Sequence, residues 1–99
     1  MEMDKEIYLC SLYDYYGVLL TDKQKEYFED YYFENLSFSE MAEDYDVSRN
    51  AAFKQVHIVM QKLDEYEEKL KLYQKKNKLS EISDKIKDEK IKEELDNIF

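Results

Sequence analysis

His57 is the only histidine of the chain and Cys10 the only cysteine, so the side chains that most often build metal sites or nucleophilic centres occur once each. A zinc site needs three or four His, Cys or carboxylate ligands at ligand spacing. A cysteine nucleophile needs a base and an orienting group beside it. Cys10 and His57 stand 47 positions apart, with nothing in the sequence to join them. His57 is read as an exposed helix residue and Cys10 as a small core residue. The carboxylates run in blocks such as Asp64, Glu65, Glu67 and Glu68, the pattern of a solvated helix face. A phosphate cradle needs several glycines, and Gly17 is the only one. No catalytic residue, metal ligand or cofactor is assigned, and the chain is read as a non-enzyme.

A different chemistry is carried by the stretch from Val47 to Leu63. These 17 residues contain Arg49, Lys54 and Lys62 and no acid, in a chain with 24 acids among 99 residues. The stretch follows Ser37-Phe38-Ser39-Glu40, a hydroxyl cap with a carboxylate three residues on, and it begins with a second cap, Ser48. A short helix, a four-residue turn and a second helix make a helix-turn-helix, whose second member presents its N-terminal residues to base edges in the major groove. Arg49, Asn50, Phe53, Lys54 and His57 are the residues that would make nucleic-acid contacts. Arginine pairs with guanine and asparagine with adenine in bidentate geometry, and a helix N-terminus favours phosphate.

Five helices are expected to position these groups. The first spans Lys5 to Tyr16 on Ile7, Leu9, Leu12, Tyr13 and Tyr16, with Gly17 as a left-handed end residue. After the apolar link Val18-Leu19-Leu20, Thr21 and Gln24 have capping-box spacing. The second helix then carries the stripe Tyr27, Phe28, Tyr31, Tyr32 and Leu36. In the third, Phe38, Met41, Ala42 and Tyr45 face inward, and Val47 is a buried hinge plug in the turn. The fourth is expected to run unbroken from Ser48 to Tyr73, because Ala52, Val56, Val59, Leu63, Tyr66, Leu70 and Tyr73 form a heptad seam. Residues 74–78, QKKNK, read as a polar link, and Ser80 as the cap of a fifth helix ending near Phe99. The fold class is therefore all-α: a helical bundle with a helix-turn-helix and a long fourth helix. Residues 1–73 form the helix-turn-helix domain and 74–99 a charged helix or partly ordered tail.

Composition narrows the partners. With no proline and one glycine the chain has few turn residues, and 43% hydrophobic residues argue against disorder. Residues 1–68 hold 6 Lys/Arg against 17 Asp/Glu, whereas 69–99 hold 9 lysines against 7 acids. A net charge of −9 disfavours generic polyanion binding. The acidic opening MEMDKEIYLC is unlike a signal peptide, and no run reaches the length of a membrane span. A cytoplasmic location without membrane insertion is expected. A fourth helix longer than so small a core can cover points to a homodimer.

The run from Leu12 to Tyr73 resembles the YlxM (p13) family of small helix-turn-helix proteins, whose motif is similar to region 4 of bacterial sigma factors. The resemblance is carried by Leu12-Tyr13-Asp14-Tyr15-Tyr16-Gly17, Leu20-Thr21-Asp22-Lys23-Gln24, Asp46-Val47-Ser48-Arg49 and Tyr66-Glu67-Glu68-Lys69-Leu70. It implies a regulatory or accessory role in the signal recognition particle pathway. Family members often carry Ser-Arg-Gln-Ala-Val-Tyr and further basic residues in the recognition helix. Here the run is Ser48-Arg49-Asn50-Ala51-Ala52-Phe53, and the basic face is thinned. The partners implied are the particle's RNA or duplex DNA, or the particle's GTPase. Two rival readings are an operator-binding transcriptional regulator and an acidic protein-interaction module that keeps the helix-turn-helix as scaffold.

Overall fold

The computed structural model describes residues 4–98. Within them lie α1 (Lys5–Tyr16), a 3-10 turn (Gly17–Leu19), α2 (Asp22–Tyr32), α3 (Phe38–Tyr45), α4 (Arg49–Leu70), α5 (Leu72–Ser83) and α6 (Glu89–Asp96), with no strand among the described residues. The all-α expectation holds.

The helix starts follow from their caps. Thr21 accepts from the Gln24 amide at 3.1 Å while the Gln24 side chain accepts from the Thr21 amide at 2.9 Å. Ser37 and Glu40 make the same reciprocal pair at 3.0 and 3.1 Å, and Ser48 accepts from Ala51 N–H at 3.0 Å. Each satisfies amide groups that a helix start leaves unpaired.

α4 is the spine on which α1, α2 and α3 pack. Its Val59 and Leu63 join Leu9, Leu12, Tyr16, Leu20 and Phe28 in one buried cluster. Its Ala52 and Val56 join Tyr27 and Met41 in a second. Tyr27 and Phe28 are adjacent, so α2 feeds one ring to each cluster. The first part of the expected seam is thus filled within the same chain.

Several expectations are corrected. Gly17 is right-handed (φ −54°) and continues into the 3-10 turn. Its lack of a side chain serves packing instead, since an added Cβ would sit 3.2 Å from the Tyr13 ring. Val47 is exposed, and Asp46 makes the turn in the left-handed region (φ 54°), which aspartate tolerates. α4 ends at Leu70, not Tyr73, and Lys71 is left-handed (φ 56°). Residues 74–78 are part of α5, Ser80 lies inside it, and Asp88 caps α6 through the amides of Lys90 and Ile91 at 3.0 and 3.3 Å. Phe99, near which the last helix was expected to end, lies outside the described residues.

The heptad seam fails for a geometric reason. A straight α-helix turns 3.6 residues, not 3.5, so a heptad stripe drifts around it. After Leu63 the buried position is Glu67, while Leu70 is 45% exposed. Glu67, expected on a solvated face, has only 9% of its surface exposed. It accepts from the Tyr16 hydroxyl at 2.5 Å and from the α5 amides of Tyr73 and Gln74 at 3.0 and 3.1 Å. The Tyr16 oxygen in turn accepts from Leu72 N–H at 2.9 Å. One carboxylate and one phenol therefore cap α5 from outside, where Lys71 offers no capping side chain.

Much of this core is tyrosine, which makes it sensitive to alkali. Burial, reinforced by the hydrogen bond to Glu67, pushes the Tyr16 hydroxyl from 10.0 to about 12. Burial also pushes Tyr32 up to about 12. Tyr13 and Tyr45 are raised by burial first and then by their bonds to Glu29 and Asp30. A raised folded pKa means the folded state holds its protons longer than the unfolded chain. The stabilisation is complete below pH 10.0, the ordinary tyrosine value, and is lost as pH rises through about 12. Far-UV circular dichroism is expected to change together with ionisation of Tyr13, Tyr16, Tyr32 and Tyr45, each followed by its own ring resonance. Ionisation of these tyrosines at the ordinary value with the helices intact would contradict this.

Candidate nucleic-acid interface

α3, the left-handed turn at Asp46 and the first turns of α4 form the helix-turn-helix. Arg49, Asn50, Phe53, Lys54 and His57 occupy positions i, i+1, i+4, i+5 and i+8 of α4, one strip beside the buried line of Ala52, Val56 and Val59. The structure brings all five onto this surface. Arg49, Asn50, Phe53 and Lys54 are exposed and His57 is half-buried. Among the described residues neither Arg49 nor Lys54 takes part in an ion pair, so both charges are available to an anion. No acid lies in the first turn of α4, where it would compete for the helix N-terminus.

The strip is rigid because its aromatic members are stacked. Tyr31 of α2 lies flat on Phe38 of α3 with centroids 4.9 Å apart. Phe38 meets Phe53 edge-on at 5.3 Å, and Phe53 stacks on His57 at 4.0 Å. The Arg49 guanidinium stands 5.8 Å above the Phe38 ring, within cation–π range. His57 Nδ1 lies 2.9 Å from the Phe53 carbonyl. A carbonyl only accepts, so Nδ1 carries the proton and Nε2 is the acceptor of the neutral ring. Phe53 is 40% exposed and offers part of one ring, not a free side chain.

The sequence missed one member of this surface and one cation contact elsewhere in the body. Phe38, expected to face inward, is half-buried and carries both Arg49 and Phe53. Its place directly after the cap Ser37 gave a weak signal. Lys23, at the start of α2, sits 3.9 Å over the Tyr45 ring. No pattern in the sequence joins those two. The exposed acids Glu43, Asp44 and Asp46 border the strip at the end of α3 and limit its positive potential. Among the described residues no three His, Cys, Asp or Glu side chains converge to hold a metal ion, and no helix is long and apolar enough to cross a membrane.

These features define a small all-helical helix-turn-helix protein with a thinly basic strip at the start of α4. Residues 3–98 match the family described as "Putative helix-turn-helix protein, YlxM / p13 like", and the chain belongs to that family. It is 42% identical to a UPF0122 protein of Halalkalibacterium halodurans over 86 residues, 87% of this chain and 79% of the relative. It is 39% identical to the UPF0122 protein YlxM of Bacillus subtilis over 88 residues, 89% of this chain and 80% of the relative. A UPF0122 protein of Ureaplasma urealyticum is 40% identical over 98 residues, 99% of each chain.

Proposed function

We propose that this chain is a non-enzymatic, cytoplasmic accessory protein of the signal recognition particle pathway that contacts nucleic acid through the N-terminal face of α4. The observation that carries the reading is the acid-free strip on which Arg49 and Lys54 stand exposed, without ion pairs, beside stacked Phe53 and His57. The particle's RNA is the favoured ligand. Unpaired RNA bases stack on aromatic rings, and the Phe53–His57 pair offers a small platform for them. Arg49, Asn50 and Lys54 would hold phosphate or base edges, with His57 Nε2 as an acceptor. The link to this pathway rests on the family resemblance.

Two cations, Arg49 and Lys54, set the strength of the salt dependence, since Lys62 lies on another side of α4. Releasing about two counterions gives a slope of about −1.4 to −1.8, so affinity falls roughly 7- to 12-fold between about 50 and 200 mM salt. The test measures binding of the purified protein to the particle's RNA, to duplex DNA and to the particle's GTPase at both salt concentrations. The double variant Arg49→Glu/Lys54→Glu is expected to lose at least ~10-fold in RNA affinity and most of the salt slope. Preference for one duplex sequence would favour an operator-binding regulator instead. Binding to the GTPase alone, unchanged in the double variant, would sink the nucleic-acid reading and move function to the acidic faces of α2 and α3.

A further inference from the structure

We infer that the α5–α6 unit is a self-association surface whose partner is the same unit of a second copy of this chain. The inference is independent of the nucleic-acid reading and rests on different residues.

The unit is under-packed. Of residues 72–98 only Ser83 is fully buried, held by its hydroxyl to Asp96 at 2.8 Å. Ile82, Ile91 and Ile98 are 46%, 48% and 62% exposed, and Leu79, Ile86 and Leu95 are half-buried. Among the described residues α5 joins the body chiefly through its first turn, where Leu72 and Tyr73 lie against the first cluster and Gln74 N–H bonds Glu67, and α6 packs on α5. Helices of 12 and 8 residues are too short to be stable by themselves. The ion pairs Lys78–Glu81 and Lys92–Asp84 lie at 3.8 and 3.9 Å with every partner exposed but the half-buried Lys92, and such pairs add little. An apolar cover would supply what these contacts do not.

Charge says what the cover is. Residues 1–71 carry the entire net charge of −9, whereas 72–99 hold seven lysines and seven acids. Two bodies repel each other, but two α5–α6 units do not. Within the unit the charges are divided between the helices. α5 holds Lys75, Lys76 and Lys78 against Glu81, a net of +2, and α6 holds Lys90 and Lys92 against Glu89, Glu93, Glu94 and Asp96, a net of −2. A two-fold dimer repeats each contact. Placing α5 on the α6 of the second copy therefore opposes unlike charges twice, and it buries the isoleucines of both units. Packing like helices together would oppose +2 to +2 and −2 to −2. A neutral unit has no comparable match to a polyanion or an anionic membrane. The molecule is 55 Å long and 26 by 20 Å across, so joining through one end leaves the acidic bodies apart.

Sedimentation velocity of the full chain, without nucleic acid, tests this across a concentration series. The wild-type chain is expected in reversible monomer–dimer equilibrium. Ile82→Glu/Ile91→Glu should weaken the dimer at least ~10-fold. Because that variant could also unfold the unit, exposed charges provide the second arm. Lys75→Glu/Lys78→Glu and Glu93→Lys/Glu94→Lys should each be monomeric alone, with circular dichroism unchanged, and an equimolar mixture should recover the dimer. A wild-type chain that stays monomeric at every concentration would overturn the inference. So would a dimer indifferent to both sets of changes, or charge variants whose mixture remains monomeric.

Discussion

Phe28→Ala is expected to destabilise the protein by about 3–5 kcal/mol, the cost of emptying a fully packed aromatic site. Phe28 is fully buried, and three rings close around it. Tyr13 stacks at 4.4 Å, Tyr32 tilts against it at 4.7 Å and Phe33 meets it edge-on at 5.8 Å. The rings cannot collapse into the gap, because Tyr13 is tied to Glu29 by a 2.8 Å hydrogen bond and rests on Gly17. Domains of this size are stable by only about 5–15 kcal/mol. Urea titration followed by circular dichroism should therefore show a midpoint lowered by a large fraction of its value. Phe33, nearly half exposed at the edge of the same group, serves as comparison. Its replacement by alanine should cost about 1–2 kcal/mol, because only about half of the ring leaves an apolar environment. Equal losses for the two variants would mean the cluster is not organised around Phe28.

The sequence showed where helices begin better than where they end. Thr21 and Ser37 each combine a cap residue with its partner three positions on, and Ser48 is a hydroxyl cap alone, local signals that need no tertiary knowledge. The strip from Arg49 to His57 was legible for the same reason, since cap and helical spacing together place every member on one face. The end of α1 at Tyr16 was legible, but the later ends were not, because in a chain with a single glycine the left-handed turns fall to Asn35, Asp46 and Lys71. Asparagine and aspartate visit that region readily, but lysine does not, so nothing at Lys71 marks a break. Glu67 was hidden for a related reason. A carboxylate inside a run of acids looks solvated, and only the folded chain brings Tyr16, 51 residues away, to its oxygen. The stacking of Phe38 between Tyr31 and Phe53 is likewise tertiary.

Glu67→Ala is expected to cost about 3 kcal/mol or more, since it strands several buried partners of a charged acceptor at once. Tyr16 would keep a buried hydroxyl without an acceptor, and the amides of Tyr73 and Gln74 would lose theirs. The negative charge at the start of α5 would go as well, and with it the favourable match to the helix dipole. Glu67→Gln separates these contributions. Its carbonyl could still serve Tyr16 and Tyr73, but its amide would face the Gln74 N–H donor to donor. An intermediate loss, on the order of 1–2 kcal/mol, is expected. Tyr16→Phe should uncap Leu72 alone. Lys71→Gly supplies the opposite sign. Glycine occupies φ 56° without the left-handed penalty that lysine bears, so this change should be neutral or slightly stabilising. Native-state hydrogen exchange reads the junction directly, with faster exchange at Leu72, Tyr73 and Gln74 in the Glu67 variants and unchanged protection in the body of α4. If Glu67→Ala lost under about 1 kcal/mol and left those three amides protected, the break between α4 and α5 would be held by the chain turn at Lys71 and not by the carboxylate.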